Sequence, residues 1–148
     1  MTTSRAVVPQ LLQRPYDRRV EYREYADADL PGIIALCVAE GWPSFPEDPA
    51  RAHRALTAPG VTSVVSLDGD HVVGFAYMLS DGEIQAFLAN ITVASTHRRR
   101  GIARRLIAEA LERAGGLRVD LITETADAFY ESLHHVRSSG YRIYPPFV

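Results

Sequence analysis

The chain contains no lysine; all 16 of its basic residues are arginines. Schiff-base catalysis and a standard phosphate-binding P-loop are excluded on that ground, because each needs a lysine amine. Cysteine is almost missing too. The single Cys37 rules out an internal disulfide framework and a cysteine-rich zinc site, and no metal is expected. No apolar run reaches the roughly 18 residues of a membrane span, and the opening MTTSRAVVPQ lacks the apolar core of a signal peptide. A cytoplasmic protein with no membrane partner is the expectation. Nor does either charge dominate: 16 basic residues against 18 acidic ones leave a formal net charge of −2, which argues against a dedicated nucleic-acid binder.

What the chain does have is local. Its 148 residues, 47% hydrophobic, suit a single domain with one sizeable core. Five of the arginines fall between Arg98 and Arg105, in THRRRGIARRLI, where an amphipathic helix opens at Gly101. A helix N-terminus already carries partial positive charge, so like is set upon like, and the segment calls for an anionic ligand. Part of the cluster has a plainer use, since Arg105 can pair with Glu109, and Glu109 with Arg113, along one helix face.

The pattern along the chain predicts an α/β fold. Residues 1–19, with Pro9 and Pro15, read as an N-terminal arm whose order the pattern does not define; residues 20–148 form the single domain. Val20 to Tyr25 alternates as a strand should. A helix follows with Asp29 as its cap, Pro31 in its first turn and Gly41 past its end, then a shorter one from Asp48 and Pro49 to Pro59 and Gly60. Cys37 lies in register with Leu30, Ile33, Ile34 and Val38, which makes it a core residue and not a nucleophile. Strands are expected at Thr62–Ser66, His71–Leu79 and Ile84–Val93, antiparallel because Asp68-Gly69 and Asp81-Gly82 punctuate them. Ile102, Leu106, Ile107, Ala110, Leu111 and Ala114 then share one helix face, Gly115 and Gly116 stop the helix, and RVDLIT (Arg118 to Thr123) reads as a strand. Antiparallel N-terminal strands are thus joined to a parallel β-α-β crossover in one mixed central sheet flanked by helices. A ligand is expected beyond the carboxyl ends of the crossover strands, where the arginines lie.

Arg98, Gly101 and Ala103 fit the signature R/Q-x-x-G-x-G/A, and Ala126, Phe129 and Tyr130 fit N-x-x-A-x-x-[FL]-Y, with Thr123 where asparagine is usual. On these residues, and from about Val20 to the C-terminus, the chain resembles the GNAT superfamily of acyl-coenzyme A N-acyltransferases. The resemblance implies a GNAT-type mixed sheet and transfer of an acetyl group from acetyl-CoA to a primary amine of a small molecule or peptide. No metal and no nucleic-acid partner are expected, as the composition already indicates. The alternative is a catalytically silent acyl-CoA-binding or interaction module, against which Tyr130 is retained. Backbone NH groups of Arg99, Arg100, Gly101, Ile102 and Ala103 would cradle the pyrophosphate, with glycine at 101 allowing close approach. Guanidinium groups of Arg98, Arg99, Arg100 and Arg104 would meet the phosphates, the inward one being left open. Ile91, Thr92, Val93, Thr123 and Tyr130 complete the coenzyme set. The Ile91 NH would hold the oxyanion and Tyr130 would protonate the departing thiolate.

Two departures stand out. Some relatives carry a glutamate base in the fourth strand where this chain has Phe87. Glu83 lies eight residues of strand from Ile91, about 26 Å at roughly 3.3 Å per residue, too far to serve. Glu124 is the expected base, with Glu47 and Asp48 as alternatives. The chain also has only eight residues after Gly140, with Pro145 and Pro146 breaking the strand suggested by YRIY (Tyr141 to Tyr144). The acceptor side is therefore open, or completed by the N-terminal arm or by a second subunit in a homodimer. Trp42 and Phe45 are expected in the acceptor pocket, with capping of the core as the alternative. His134 and His135 read as structural or acceptor-loop residues, being poorly spaced as ligands.

Overall fold

Alternating apolar residues build one five-stranded sheet in the order β1 (Val20–Glu24), β2 (Val61–Asp68), β3 (His71–Ser80), β4 (Gln85–Val93) and β5 (Arg118–Asp120). Our computed structural model describes residues 17–146, so most of the arm expected over residues 1–19 lies outside the described residues. β1 to β4 are antiparallel neighbours and β5 runs parallel to β4, as the turn residues and the crossover predicted. Gly69 and Gly82 adopt φ of 61° and 80°, the left-handed conformation that hairpin turns require.

Among the described residues five α-helices cover the two faces. Three of them, α1 (Leu30–Glu40), α2 (Ser44–Glu47) and α3 (Pro49–Leu56), bury Ile33, Leu36, Cys37, Phe45, Ala52 and Leu56 against Val65, Leu67 and Phe75. On the other face α4 (Ile102–Ala114) presents the apolar stripe read from the sequence, with Ile102, Leu106, Ile107, Ala110 and Leu111 packed on Val64, Ala76, Met78, Ala86 and Leu88. Gly74 of β3 allows this contact to close. A Cβ there would stand 3.1 Å from Leu106 Cδ1 and 2.5 Å from Ser66 Oγ. Tyr130, on the short α5 (Asp127–Glu131), packs against the same α4-side cluster. Among the described residues no helix is long and apolar enough to cross a membrane.

The β3–β4 ladder contains the feature that shapes the site. Tyr77 pairs with Asn90 and Met78 with Leu88, so Ala89 is an extra residue, a bulge. Strict alternation would send Leu88 and Ile91 to opposite faces. The bulge resets the phase, and Ala86, Leu88, Ile91 and Val93 all join the α4-side cluster.

Several expectations are corrected. The strand read over Arg118 to Thr123 stops at Asp120, because β5 pairs only with Gln85, Ala86 and Phe87 before the bulge bends β4 away. Tyr141 to Tyr144 form no strand: Gly140 and Arg142 lie beside Ile122 and Glu124, which have themselves left the sheet and offer no ladder. Val38 is exposed, outside the core stripe given for Cys37. Asp29 does not cap α1 through its side chain. A 3-10 turn over Asp27–Asp29 precedes that helix, and the buried Asp29 carboxylate instead accepts both arms of the Arg23 guanidinium at 2.7 and 2.8 Å and the Ala26 NH at 2.8 Å.

The Arg23 fork lowers the Asp29 pKa, with the Ala26 NH adding to it against the opposing effect of burial. A depressed carboxyl contributes stability above its unfolded pKa of about 3.9 and loses it as the pH falls through the folded value. Asp29→Asn should cost about 1.5–3 kcal/mol at neutral pH in urea unfolding, and the gap between variant and parent should narrow below about pH 4.

Candidate functional site

The segment between β4 and α4 is bent by two left-handed residues, Arg99 at φ 61° and Gly101 at φ 78°. Left-handed residues set among extended or helical ones turn successive NH groups toward a common point, and the first-turn NH groups of Ile102 and Ala103 have no acceptor within α4. The segment expected to cradle an anion is thus this bent start of α4. Its arginines divide by partner. Arg98 binds the Glu40 carboxylate and the Val93 carbonyl, the latter at 3.3 Å from Nε. Arg100 turns back to the Thr96 carbonyl at 3.1 Å and to Asp17 at 3.4 Å. Among the described residues the Arg99 guanidinium has no acceptor. Arg104 reaches Ser132 Oγ at 3.2 Å, tying the start of α4 to the end of α5. Arg105 pairs with Glu109 and lies 5.7 Å over the Tyr22 ring, and Arg113 holds Glu109 from the other side.

Next to this cradle runs an open strand edge. Ala94 donates its NH to the Val73 carbonyl at 2.8 Å, so its amide faces β3. Amide direction alternates along a strand, which points Thr92 to β3 as well and turns Ile91 and Val93 the other way. On that side β5 pairs no further than Phe87. Among the described residues the NH groups of Ile91 and Val93 thus face a gap in the sheet, and the Val93 carbonyl meets Arg98 there. Thr92, grouped with them from the sequence, contributes no amide to this edge. Its side chain is buried and its hydroxyl donates to Asn90 Oδ1 at 3.0 Å.

Tyr130 approaches from the α4 face, half-buried in the cluster that includes Ile91 and Val93. Burial raises its phenol pKa, so the hydroxyl is protonated at neutral pH. Thr123 organises the turn ahead of α5, its hydroxyl accepting the Ala126 NH at 3.0 Å, a role suited to the asparagine it replaces. Glu124, the expected base, is exposed and accepts from Arg142 at 2.9 Å. Asp48 caps α3 by accepting the Arg51 NH at 2.9 Å. Glu47 is exposed on α2, and Glu83 remains in the turn before β4, at its far end from Ile91. His134 and His135 are exposed beyond α5.

The opposite face of β4 carries the aromatic residues. Phe45 is buried, with its ring 5.8 Å from Phe75 and 5.7 Å from Tyr77, so it caps the core where a pocket residue was expected. Trp42 is exposed. Cys37 is fully buried below them, and burial pushes its thiol up to about 11. Sequence reasoning passed over Tyr77 and Asn90, which pair across the ladder beside the bulge, and Glu40 and Asp17, which hold two of the arginines. Each of these roles depends on a partner distant in sequence. Only the broken alternation in QAFLANITV signalled any of them.

A family model described as the Acetyltransferase (GNAT) family matches residues 20–135. No curated protein matches the chain. Among solved structures, a protein assigned as an acetyltransferase from Agrobacterium tumefaciens str. C58 is similar at 28% identity and a TM-score of 0.70, over 84% of this chain and 99% of that one. The aminoglycoside N-acetyltransferase AAC(6')-Iy, solved with CoA, is similar at 20% identity and a TM-score of 0.67, over 89% and 98%. A transcriptional regulator from Bacillus halodurans C-125 shares the fold at 22% identity and a TM-score of 0.71, over 84% and 99%.

Proposed function

Because the chain belongs to the GNAT acetyltransferase family, we propose that it transfers an acetyl group from acetyl-CoA to a primary amine of a small molecule or peptide. One observation carries this: the bent, NH-rich start of α4 continues directly from the unpaired edge of β4. A diphosphate fits the first, against Arg99 and the NH groups of Gly101, Ile102 and Ala103. An arm of amide groups fits the second, adding to β4 as a strand would through Val93 and leaving the Ile91 NH for the reacting carbonyl. The AAC(6')-Iy structure with a bisubstrate analog, CoA-S-monomethyl-acetylneamine, supports the pairing of this fold with CoA and an amine.

The chemistry then falls to few groups. The amine nitrogen attacks the thioester carbon and a C–N bond forms as the carbonyl oxygen becomes an oxyanion. The Ile91 NH donates to that oxygen from a fixed position, a contact that strengthens as charge develops. When the C–S bond breaks, Tyr130 gives its hydroxyl proton to the sulfur; the proton lost by the nitrogen passes to solvent, and the Tyr130 phenolate takes a proton back from solvent before the next turnover. Burial raises the phenol pKa and widens its gap to a thiol near 8.5. The proton therefore moves late, after charge has built on sulfur. Arg104 serves this step by holding α5 through Ser132.

Gly101→Glu should abolish CoA binding in calorimetry. The variant forces a side chain into a left-handed position, costing about 1–2 kcal/mol, and aims a carboxylate at the phosphates. A folded variant with parental affinity would place the diphosphate elsewhere. Tyr130→Phe deletes only the hydroxyl. Thiol release from acetyl-CoA across a panel of polyamines, amino acids, aminoglycosides and peptide N-termini should fall by about 10²-fold in turnover, with coenzyme affinity nearly unchanged. Weakened CoA binding alone would make the hydroxyl an anchor for the sulfur instead.

A further inference from the structure

We propose that Glu40 is a positioning residue for the phosphate loop, acting with Arg98 as a strut that sets the affinity for the CoA diphosphate although its own charge has the sign of the ligand. Resting on the acetyltransferase reading, this adds a residue from a distant helix to the coenzyme site.

Glu40 is the last residue of α1. A carboxylate there faces the negative end of the helix dipole, the least favourable place on the helix for it. Its backbone is nevertheless fixed: Gly41 follows at φ 76°, Trp42 donates its NH to the Cys37 carbonyl at 2.9 Å, and Gly41 to Val38 at 3.3 Å. The side chain is only 10% exposed. From that position it reaches across to a segment 55 residues later in the chain, where Oε1 accepts the Ser95 NH at 2.9 Å and Oε2 accepts from the Arg98 guanidinium.

The two grips bracket the turn that leaves β4. Ser95 opens a 3-10 turn over Ser95–His97, and Arg98 follows it. Arg98 extends the connection, because its Nε also reaches the Val93 carbonyl on the open edge. A single carboxylate therefore ties the end of β4, the turn and the first arginine to α1. The next residue, Arg99, sits in the left-handed region that only glycine adopts freely, so the loop needs external support to keep its NH groups converged. At its other end Asp17 does similar work, donating its NH to the Arg100 carbonyl at 3.0 Å and accepting from the Arg100 side chain at 3.4 Å.

Charge alone predicts that removing Glu40 would help an anion bind. Geometry predicts the reverse, and two considerations favour geometry. The Glu40 charge is already compensated by Arg98, so the repulsion left to relieve is small and further reduced by screening over about 8 Å at physiological salt. By contrast, releasing the grip on Ser95 and Arg98 loosens several NH donors together, and donors that must be ordered on binding weaken it.

Calorimetric titration of CoA into the parent, Glu40→Gln and Glu40→Asp separates the two. The first variant removes the charge but keeps an acceptor for Ser95. The second keeps the charge but withdraws it by one methylene, too short to hold both partners. Each should bind CoA about tenfold more weakly, the size of one lost charge-assisted hydrogen bond. Pantetheine, which shares the amide arm and carries no phosphate, should raise the unfolding midpoint of both variants by as much as that of the parent. Unchanged or tighter CoA binding by Glu40→Gln, or parental binding by Glu40→Asp, would overturn the strut, as would an equal loss for CoA and pantetheine. Should Glu40→Gln fail to fold, Glu40→Asp decides alone. A parent that binds no CoA would overturn the acetyltransferase reading, and the strut with it.

Discussion

One residue too many in the β3–β4 ladder determines most of what this molecule offers a ligand. Ala89 has no partner between the Tyr77–Asn90 and Met78–Leu88 pairs, and its insertion has three effects at once. It shifts the phase of β4, so that Leu88 and Ile91 share the α4 face. It bends the strand away from β5, ending that ladder at Asp120. It thereby leaves the amides of Ile91 and Val93 along an edge inside the sheet, beside the helix that begins at Ile102. An unpaired edge within a sheet would ordinarily be a liability, since its amides lack partners. On the proposed function the donor supplies them, its amide arm at Val93 and its thioester oxygen at Ile91.

The second constraint is electrostatic. Arginines stand before the positive end of α4, and Glu40 stands at the negative end of α1; each is unfavourable by itself. The fold relieves both by bringing them together, Glu40 against Arg98, with Asp17 against Arg100. The Asp17 carboxyl is lowered to about 2, chiefly by its hydrogen bond with Arg19, so it is ionised across the neutral range. Two of the three consecutive arginines thus become braces, which answers the question that the dense cluster raised. On the proposed function the density serves the loop's shape as much as the ligand's charge.

This division shows what the sequence could and could not disclose. The α4 stripe, the hairpin turns and the parallel crossover follow from periodicity and from glycine at positive φ, properties of adjacent residues, and all were legible. So was the bent segment before α4, because its glycine, arginines and helix start are contiguous; its use for phosphate belongs to the proposed function. Phe45 was not, since an aromatic between two short helices packs the core or lines a pocket according to what stands opposite, and Phe75 and Tyr77 stand opposite. The early end of β5 was hidden for the same reason: RVDLIT has strand character throughout, and only a bend in another strand removes its partner. Contacts such as Glu40 with Ser95 leave no local trace at all.

The handling of the amine proton follows from the same geometry. Of the carboxylates considered as bases, Glu124 is paired with Arg142, Asp48 is spent on the cap of α3, Glu47 lies exposed on α2, and Glu83 sits at the wrong end of β4. Phe87 occupies the strand position where a glutamate would have stood. With solvent as the proton acceptor, the cost of freeing the nitrogen lone pair falls on the substrate. For an alkyl amine of pKa near 10.4 that cost is about 4–5 kcal/mol at pH 7, whereas for an α-amine near 7.7 it is about 1 kcal/mol. The difference exceeds what a single hydrogen bond of about 0.5–1.5 kcal/mol in an acceptor pocket would recover. On the proposed reaction, with none of these carboxylates placed as a dedicated base, weakly basic amines are therefore favoured.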